Sequence, residues 1–259
     1  MKKAIITGSG GFIGKALVNH LTRQFPGIKI IGIDRAEGIE VSDWFMDHDI
    51  SDVACVFHLA AQTSVFNTNK CDIIRDNIEA FRIVCDVCRR SGVKFVYASS
   101  STAEQDNTTS LYGITKRFDE QYARCYNPTA TGVRFHNVYG RNPRQGTLLW
   151  HLIHDRRVRL YNRGANTRHF TYIDNITEGL LMAAYLDTPL VNVANPRECT
   201  VSFFANLVRK YHYVEIEPVD EEREMDRRVQ RVNREIYTLP LRYVPVSEGI
   251  RRVFEKGWP

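Results

Sequence analysis

A glycine-rich turn between an apolar strand and a helix constrains the fold of this chain more than any other feature. A strand is predicted at Ala4-Ile5-Ile6, a turn follows at Thr7-Gly8-Ser9-Gly10-Gly11-Phe12-Ile13-Gly14, and a helix is predicted from Lys15 to Phe25. Backbone N–H groups at the start of such a helix can bind a pyrophosphate. The spacing of Gly8, Gly11 and Gly14 differs from the usual Gly-x-Gly-x-x-Gly, so the turn is informative only together with its context.

Asp34 supplies that context because it ends the second predicted strand, Ile28–Ile33, 20 residues after Gly14. Its carboxylate can accept hydrogen bonds from the hydroxyls of an adenosine ribose and would repel a 2′-phosphate. The residues therefore predict a binding site for NAD. Arg35 leaves NADP open, since a guanidinium can pair with the additional phosphate. A tight turn without a ligand is the structural alternative.

Strands and helices alternate along the first half of the chain, which predicts a parallel sheet covered on both faces. The predicted fold class is α/β, a Rossmann-type doubly wound parallel sheet with a smaller C-terminal substrate-binding lobe. Residues 1–138 are predicted to form the NAD-binding domain, with 168–195 returning to it, and 139–259 to form the smaller lobe. Further strands are predicted at 53–59, 94–99, 131–135 and 191–193, and further helices at 72–90, 111–125, 146–153, 174–185, 201–211 and 246–254.

The composition favours a small anionic ligand over a macromolecular one. The chain has 259 residues and a formal net charge of +5, with Lys and Arg spread along it, so nucleic-acid binding rests on the charge alone. No stretch approaches the ~18 apolar residues of a membrane helix. Cys85-x-x-Cys88 lacks a second pair at ligand spacing, which favours core packing over a metal site. We expect a cytoplasmic protein without membrane or nucleic-acid partners.

A second feature supplies acid–base chemistry. Tyr112-Gly113-Ile114-Thr115-Lys116 places a phenol and an ammonium one helical turn apart on one face of a predicted helix, and Ser99-Ser100-Ser101 ends the strand before it. Free tyrosine has a pKa of ~10, so a phenol is a poor base at neutral pH without help. A neighbouring ammonium and a positive nicotinamide ring both favour the phenolate. Together with the glycine turn, this pair predicts hydride chemistry on an alcohol. A surface tyrosine and a solvated lysine are the structural alternative.

These motifs, in this order, resemble the extended short-chain dehydrogenase/reductase family of NAD-dependent sugar epimerases and dehydratases, including the UDP-glucose 4-epimerases. The resemblance runs almost from end to end. It implies that Asp49-Ile50 contacts adenine, that His58-Leu59-Ala60-Ala61-Gln62 lines the ribose and phosphates, and that Asn77 supports the active-site backbone. The cofactor-binding residues implied in this way are Gly8, Gly11, Phe12, Ile13, Gly14, Asp34, Asp49, Ile50, Leu59, Ala60, Ala61, Asn77, Ser99, Tyr112, Lys116 and His136.

By the same resemblance, Ser101, Tyr112 and Lys116 are the catalytic residues. Ser101 would hold the sugar hydroxyl, Tyr112 would remove its proton, and Lys116 would bond the nicotinamide ribose. Two departures concern the loop between them. Only 10 residues separate Ser101 from Tyr112, fewer than relatives usually show, and Ala103-Glu104-Gln105 replaces the family's Tyr-Gly. The shortened loop implies a more open site, or one completed by another subunit.

The resemblance also implies a set of substrate-binding residues. Arg134-Phe135-His136-Asn137 resembles the family's Arg-Tyr-Phe-Asn, so Asn137 would donate to a nucleotide-sugar phosphate, and His136 replaces an aromatic residue near the nicotinamide. Arg168-His169-Phe170 resembles Arg-Asp-Phe, whose arginine binds the pyrophosphate through bidentate bonds. The other implied substrate-binding residues are Leu148 at the nucleotide base and Arg223 as a second phosphate ligand, the alternative for Arg223 being a solvated face.

The residues after Ser101 bear on the reaction. Dehydratases of the family carry Thr-Asp-Glu where this chain has Ser101-Thr102-Ala103, and without those carboxylates elimination of water is disfavoured. The predicted function is an NAD-dependent nucleotide-sugar 4-epimerase acting on a UDP-hexose. A nucleotide-sugar reductase or dehydratase and a non-catalytic dinucleotide-binding module are the alternatives. The long helix from Asp72 and the helix bearing Tyr112 resemble the pair that forms a dimer interface in relatives, so a homodimer is expected.

Overall fold

Strands and helices alternate from the first residues of the chain. The structure is a computed structural model that describes residues 1–63, 69–104, 110–223, 226 and 228–255. The helices are α1 (Phe12–Gln24), α2 (Val41–Asp47), α3 (Lys70–Ile73), α4 (Ala80–Arg90), α5 (Leu111–Tyr126), α6 (Leu148–His154), α7 (Ile173–Ala183), α8 (Val201–Val208) and α9 (Val246–Phe254). The strands are β1 (Lys3–Thr7), β2 (Lys29–Ile33), β3 (Cys55–His58), β4 (Lys94–Ser100), β5 (Thr131–Phe135), β6 (Val138–Tyr139), β7 (Arg157–Leu160), β8 (Thr167–Arg168), β9 (Thr171–Tyr172), β10 (Leu190–Val193), β11 (Cys199–Thr200) and β12 (Glu215–Pro218).

A six-stranded parallel sheet has the strand order β10-β5-β4-β3-β1-β2. The chain proceeds from β1 to one edge through β2, and from β3 to the other edge through β4 and β5. The order therefore reverses between β1 and β3, and at such a switch point a crevice opens beyond the carboxyl ends of the strands. The predicted fold class is confirmed.

Alternating side chains of the strands divide the core into two layers, because successive residues of a strand point to opposite faces. Ile6 belongs to an apolar cluster with Leu17 of α1 and Leu180 of α7. Ile5 belongs to a separate cluster with Phe81 of α4. Both isoleucines are fully buried, which explains why the central strands are almost continuously apolar.

The C-terminal half contributes both to the sheet and to a smaller lobe. β10 pairs with β5, and α7 packs beside α1, where Thr177 Oγ1 lies 3.2 Å from His20 Nδ1. The lobe contains three short strand pairs, β6–β9, β7–β12 and β8–β11. None of these six strands was predicted, since strands of two to four residues give a weak sequence signal. The division of the chain at residue 138 stays a prediction.

The predicted helices differ from the observed ones mainly at their ends. The predicted helix at 72–90 begins earlier, at Lys70, and contains a π-helical segment, Ile74–Glu79, between α3 and α4. The predicted helix at 201–211 ends at Val208, and α2 was not predicted. Within the described ranges, no helix has the length and apolar character needed to cross a membrane.

Gly132 in β5 allows a close contact that a larger residue would disturb. A Cβ at this position would lie 2.6 Å from the ring of Tyr97, which is fully buried on β4. We expect Gly132→Ala to lower the free energy of unfolding by about 1–3 kcal/mol, because the sheet or the ring must shift. Urea denaturation measures the change. An unchanged unfolding midpoint would show that this part of the core adapts without cost.

Candidate functional site

A cavity of about 1250 Å³ lies beyond the carboxyl ends of β1, β3 and β4. Concave sites at the switch point of a parallel sheet are where folds of this kind bind ligands. Fourteen of the residues predicted for the site line it. They are Gly8, Gly11, Phe12, Ile13, Gly14, Asp34, Leu59, Ala60, Ala61, Ser99, Ser101, Tyr112, Asn137 and Leu148.

The glycine turn forms one wall of the cavity. Gly8 has φ of +70°, and a Cβ there would lie 2.8 Å from the backbone nitrogen of Ala60. A Cβ on Gly14 would overlap the carbonyl oxygen of Gly8. The first turn of α1 follows Gly11, which provides no side-chain cap. The N–H groups of that turn can therefore bind a ligand. This cradle fits the pyrophosphate of a dinucleotide, which needs close approach of the backbone and free N–H donors.

Asp34 lies where β2 ends and is held by the backbone. Its Oδ2 accepts a hydrogen bond of 2.8 Å from the N–H of Gly10, and its Oδ1 accepts one of 2.9 Å from the N–H of Ala36. A carboxylate oxygen can accept more than one bond, so both remain able to bind ribose hydroxyls. The geometry suits the role predicted for Asp34.

The wall contributed by the end of β3 is fixed by Thr7 and His58. Thr7 Oγ1 lies 2.9 Å from His58 Nδ1 and accepts the N–H groups of Leu59 at 3.1 Å and Ala60 at 3.2 Å. Burial, together with the nearby charge of Lys116, lowers the pKa of His58 to about 3. The ring is therefore neutral at physiological pH, and it holds the segment that faces the cavity.

Asn77 connects this wall to α5 from behind. It is 1% exposed, within the π-helical segment. Its Oδ1 accepts the N–H of Gln62 at 2.7 Å, and its Nδ2 donates to the carbonyl of Gln62 at 3.0 Å and to Thr115 Oγ1 at 3.1 Å. The contacts suit the predicted role, which is support of the active-site backbone.

Ser101 and Tyr112 share the cavity wall at the carboxyl end of β4. Ser101 begins a 3₁₀ turn, Ser101–Ala103, and Tyr112 is the second residue of α5, whose N-cap Ser110 accepts the N–H of Gly113 at 3.2 Å. A Cβ on Gly113 would lie 2.6 Å from the carbonyl oxygen of Thr102, so the helix begins directly against the turn. This packing brings the two hydroxyls to one wall. Residues 105–109 of the shortened loop, including Gln105, lie outside the described residues.

Lys116 lies behind that wall and is paired with Asp119. Its Nζ is 3.0 Å from Asp119 Oδ2, and the side chains are 2% and 0% exposed. Burial raises the pKa of Asp119 to about 7. Burial opposes the charged form of Lys116, but Asp119 outweighs it and raises the lysine pKa. The predicted bond of Lys116 to the nicotinamide ribose stays a prediction, since in this structure its ammonium contacts a carboxylate.

Two residues near Ser101 were not predicted from the sequence to have a role in the site. Gln230 lines the cavity, and its Nε2 donates to Ser101 Oγ. Glu104 accepts two bonds of 3.1 Å from Asn233 Nδ2 and pairs with Arg134, which also forms a bidentate pair with Glu120 at 2.7 Å. Gln230 lies in no motif, and Glu104 was noted only as part of the segment that replaces the family's Tyr-Gly, without a role of its own.

Five predicted site residues contact other groups outside the cavity wall, and their roles stay predictions. Asp49 accepts bonds from Ser51, and Ile50 is fully buried in the core. Arg168 donates to Asp226 and, at 2.6 Å, to the carbonyl of Thr167, whereas the Arg223 guanidinium lies 5.7 Å from the ring centre of Tyr161.

His136, the fifth of these residues, is 1% exposed and meets His169 edge to face with ring centres 5.7 Å apart. Burial, with the charges of His169 and Arg134, lowers the pKa of His136 to about 3, so the ring is neutral.

Comparison with known proteins identifies relatives of the chain. The family model described as NAD dependent epimerase/dehydratase family matches residues 4–194, most of the chain. UDP-glucuronate 4-epimerase 3 of Arabidopsis thaliana is 30% identical, over 71% of this chain and 54% of its own length. The predicted family resemblance and the predicted cofactor, NAD, are confirmed.

Solved structures share the fold over nearly the whole chain. The NAD-dependent NDP-hexosamine 5,6-dehydratase TunA is 24% identical, with a TM-score of 0.82 over 98% of this chain and 97% of its own. UDP-glucose 4-epimerase of Thermus thermophilus, solved in complex with NAD, is 21% identical, with a TM-score of 0.76 over 97% of each chain. An epimerase and a dehydratase thus have the same fold, which does not by itself select a reaction.

The buried pair of Lys116 and Asp119 predicts a pH-dependent loss of stability in Lys116→Met. Without the ammonium, a buried Asp119 must keep its proton, which the unfolded chain releases. Above about pH 7, where the wild-type carboxyl ionises beside Lys116, we expect the variant to lose about 1.4 kcal/mol of stability per pH unit relative to wild type.

Urea denaturation of both proteins at several pH values measures this difference. Lys116→Met/Asp119→Asn is the matched control and should lack the additional pH dependence, because it has no carboxyl to ionise. A difference from wild type that is constant with pH would contradict the prediction.

Proposed function

Because the chain belongs to the NAD-dependent epimerase/dehydratase family, we propose that it is a nucleotide-sugar epimerase acting at C4 of a UDP-hexose. The observation that carries the proposal is the position of Ser101 and Tyr112 together on the cavity wall that also contains the glycine cradle. Glu104 is the first carboxylate after β4, and Arg134 and Asn233 bind it. Among the described residues, the turn after Ser101 thus offers no free carboxylate for the elimination of water.

Each hydroxyl has a distinct role in this proposal. Ser101 Oγ, held by Gln230, binds the C4 hydroxyl of the sugar, and Tyr112 removes its proton as a general base. Lys116 lies one helical turn from Tyr112 on α5, with its ammonium paired to Asp119. Bound NAD supplies a hydride acceptor that can later return the hydride. Tyr112 then gives the proton back to the oxygen of the 4-keto sugar.

Inversion at C4 requires the keto sugar to present its other face, and the cavity has room for that. Its volume of about 1250 Å³ extends past the hydroxyls to Asn137, Leu148 and the exposed Arg144. These residues suit the phosphates and base of a nucleotide, with a guanidinium suited to phosphate. Arg168 could join them only by leaving Asp226. UDP-hexoses are the first substrates to test, since named relatives act on UDP-glucuronate and UDP-glucose.

A nucleotide-sugar dehydratase or reductase is the second candidate, because the fold is shared with a 5,6-dehydratase. The two candidates differ in product. An epimerase returns an isomer without net redox change, whereas a reductase consumes reduced cofactor and a dehydratase releases water. The products of one incubation therefore distinguish them.

We expect the wild-type protein to interconvert UDP-glucose and UDP-galactose, or the corresponding UDP-uronates, without added reductant. Tyr112→Phe should lower the rate at least about 100-fold, because the phenol is the acid–base group, while NAD binding changes little. Chromatography of the sugar nucleotides measures the rate, and calorimetry measures binding. Net reduction that requires NADPH would reject the epimerase. If both proteins bind NAD and neither converts a nucleotide sugar, the chain is a binding module.

We also propose that the protein is a homodimer. Ile74 in the π-helical segment and Ile114 and Tyr126 in α5 are 41%, 51% and 54% exposed, on elements that pack side by side. We propose that they belong to one apolar patch, since contiguous exposed apolar patches mark interaction sites. Light scattering should give twice the chain mass of 29.9 kDa, and Ile114→Arg should halve it. Tyr213→Arg, at an exposed position outside these elements, is the control and should leave the mass unchanged.

A further inference from the structure

Arg35 directly follows Asp34 in the chain. It lies at the end of the cavity where a dinucleotide bound at the glycine turn would have its adenosine. All three guanidinium nitrogens are bound. Nε and Nη2 donate to Glu40 at 2.6 and 2.8 Å, and Nη1 and Nη2 donate to Asp76 at 2.8 Å each. These are two bidentate pairs, the geometry that best fixes a guanidinium. Four of the five N–H groups of the guanidinium that could bind a 2′-phosphate are thus bound to carboxylates of the protein.

The two carboxylates come from separate elements, so the arrangement does not depend on one loop. Glu40 directly precedes α2, and Asp76 lies in the π-helical segment. Asp76 also accepts bonds from Gln62 Nε2 at 2.9 Å and Arg75 Nε at 2.8 Å. Burial disfavours its charged form, but these donors outweigh burial, and the pKa of Asp76 lies below its usual range. Asp76 is therefore ionised at physiological pH and pairs with Arg35 as a carboxylate.

The charges at this end of the cavity oppose an additional phosphate. Asp34, Glu40 and Asp76 line it beside the two guanidinium groups of Arg35 and Arg75, and the carboxylates of Asp43 and Glu79 also line the cavity. Both guanidinium groups are already paired with carboxylates. A phosphate carrying almost two negative charges would meet net negative charge there.

We propose that Glu40 and Asp76 are specificity-determining residues that hold Arg35 away from the adenosine ribose and so make the cavity select NAD over NADP. Asp34 alone does not explain the selection, because a free Arg35 beside it could pair with the 2′-phosphate. The inference rests on the cavity being the dinucleotide site, but not on which sugar the protein converts.

Calorimetric titration with NAD and with NADP tests the proposal without any turnover. Glu40→Gln/Asp76→Asn keeps the shapes of both side chains and removes the two negative charges that hold the guanidinium, leaving only weaker neutral acceptors. We expect its affinity for NADP to rise at least about tenfold, the effect of one charge-assisted pair, and its affinity for NAD to change by less than about threefold. Adding Arg35→Ala to this variant should remove the gain.

Glu37→Gln is the matched control, since it removes a neighbouring carboxylate for which no bond to Arg35 is seen among the described contacts, and it should give no gain. A gain that survives Arg35→Ala would overturn the proposal, because it would come from general charge. No gain in a variant that still binds NAD would overturn it as well. Should the double variant fail to fold, Glu40→Gln alone should give a smaller gain that also requires Arg35. If the wild type bound no NAD, the assignment of the cavity itself would fail.

Discussion

The contact between the glycine turn and the end of β3 is the constraint on which the rest of the site depends. Gly8 approaches the backbone of Leu59 and Ala60 so closely that a side chain would be excluded. The ends of β1 and β3 therefore meet through backbone atoms, with no side chain of Gly8 between them. Thr7 joins them by accepting N–H groups from across the sheet. The glycines of the turn leave this crevice open as a cavity. The backbone N–H groups at the start of α1 can bind a phosphate there.

Buried polar groups connect the end of β3 to α5, the helix that bears Tyr112. Asn77 connects the end of β3 to α5 through Thr115, and Glu120 connects α5 to β4 and β5 through Ser99 and Arg134. Each of these groups is bonded in a region where an unsatisfied partner would be costly. The helix that bears Tyr112 is thus fixed on two sides by buried side chains.

The sequence predicted most of the sheet, because the central strands are apolar over their whole length and are separated by amphipathic helices. It also predicted the glycine turn, Asp34, Ser101 and Tyr112, since each falls at the end of a strand or the start of a helix, where local pattern and chemistry coincide. The partners of these residues could not be predicted. Lys116 pairs with Asp119 and Arg168 with Asp226 through side-chain geometry that one-dimensional spacing does not specify. The role of Arg35 was ambiguous for the same reason, because its pairing with Glu40 and Asp76 is not visible in the sequence.

The bond between Ser101 and Gln230 joins residues 129 positions apart, whereas the glycine cradle is complete within the first 61 residues. During synthesis the N-terminal strands leave the ribosome long before Gln230 is added. The glycine cradle is therefore encoded early in the chain, and Gln230, which donates to Ser101 Oγ, is encoded almost last. A nascent chain that stops short of Gln230 contains the whole glycine cradle but lacks the side chain that donates to Ser101 Oγ, so the two walls of the cavity are completed at different stages of synthesis.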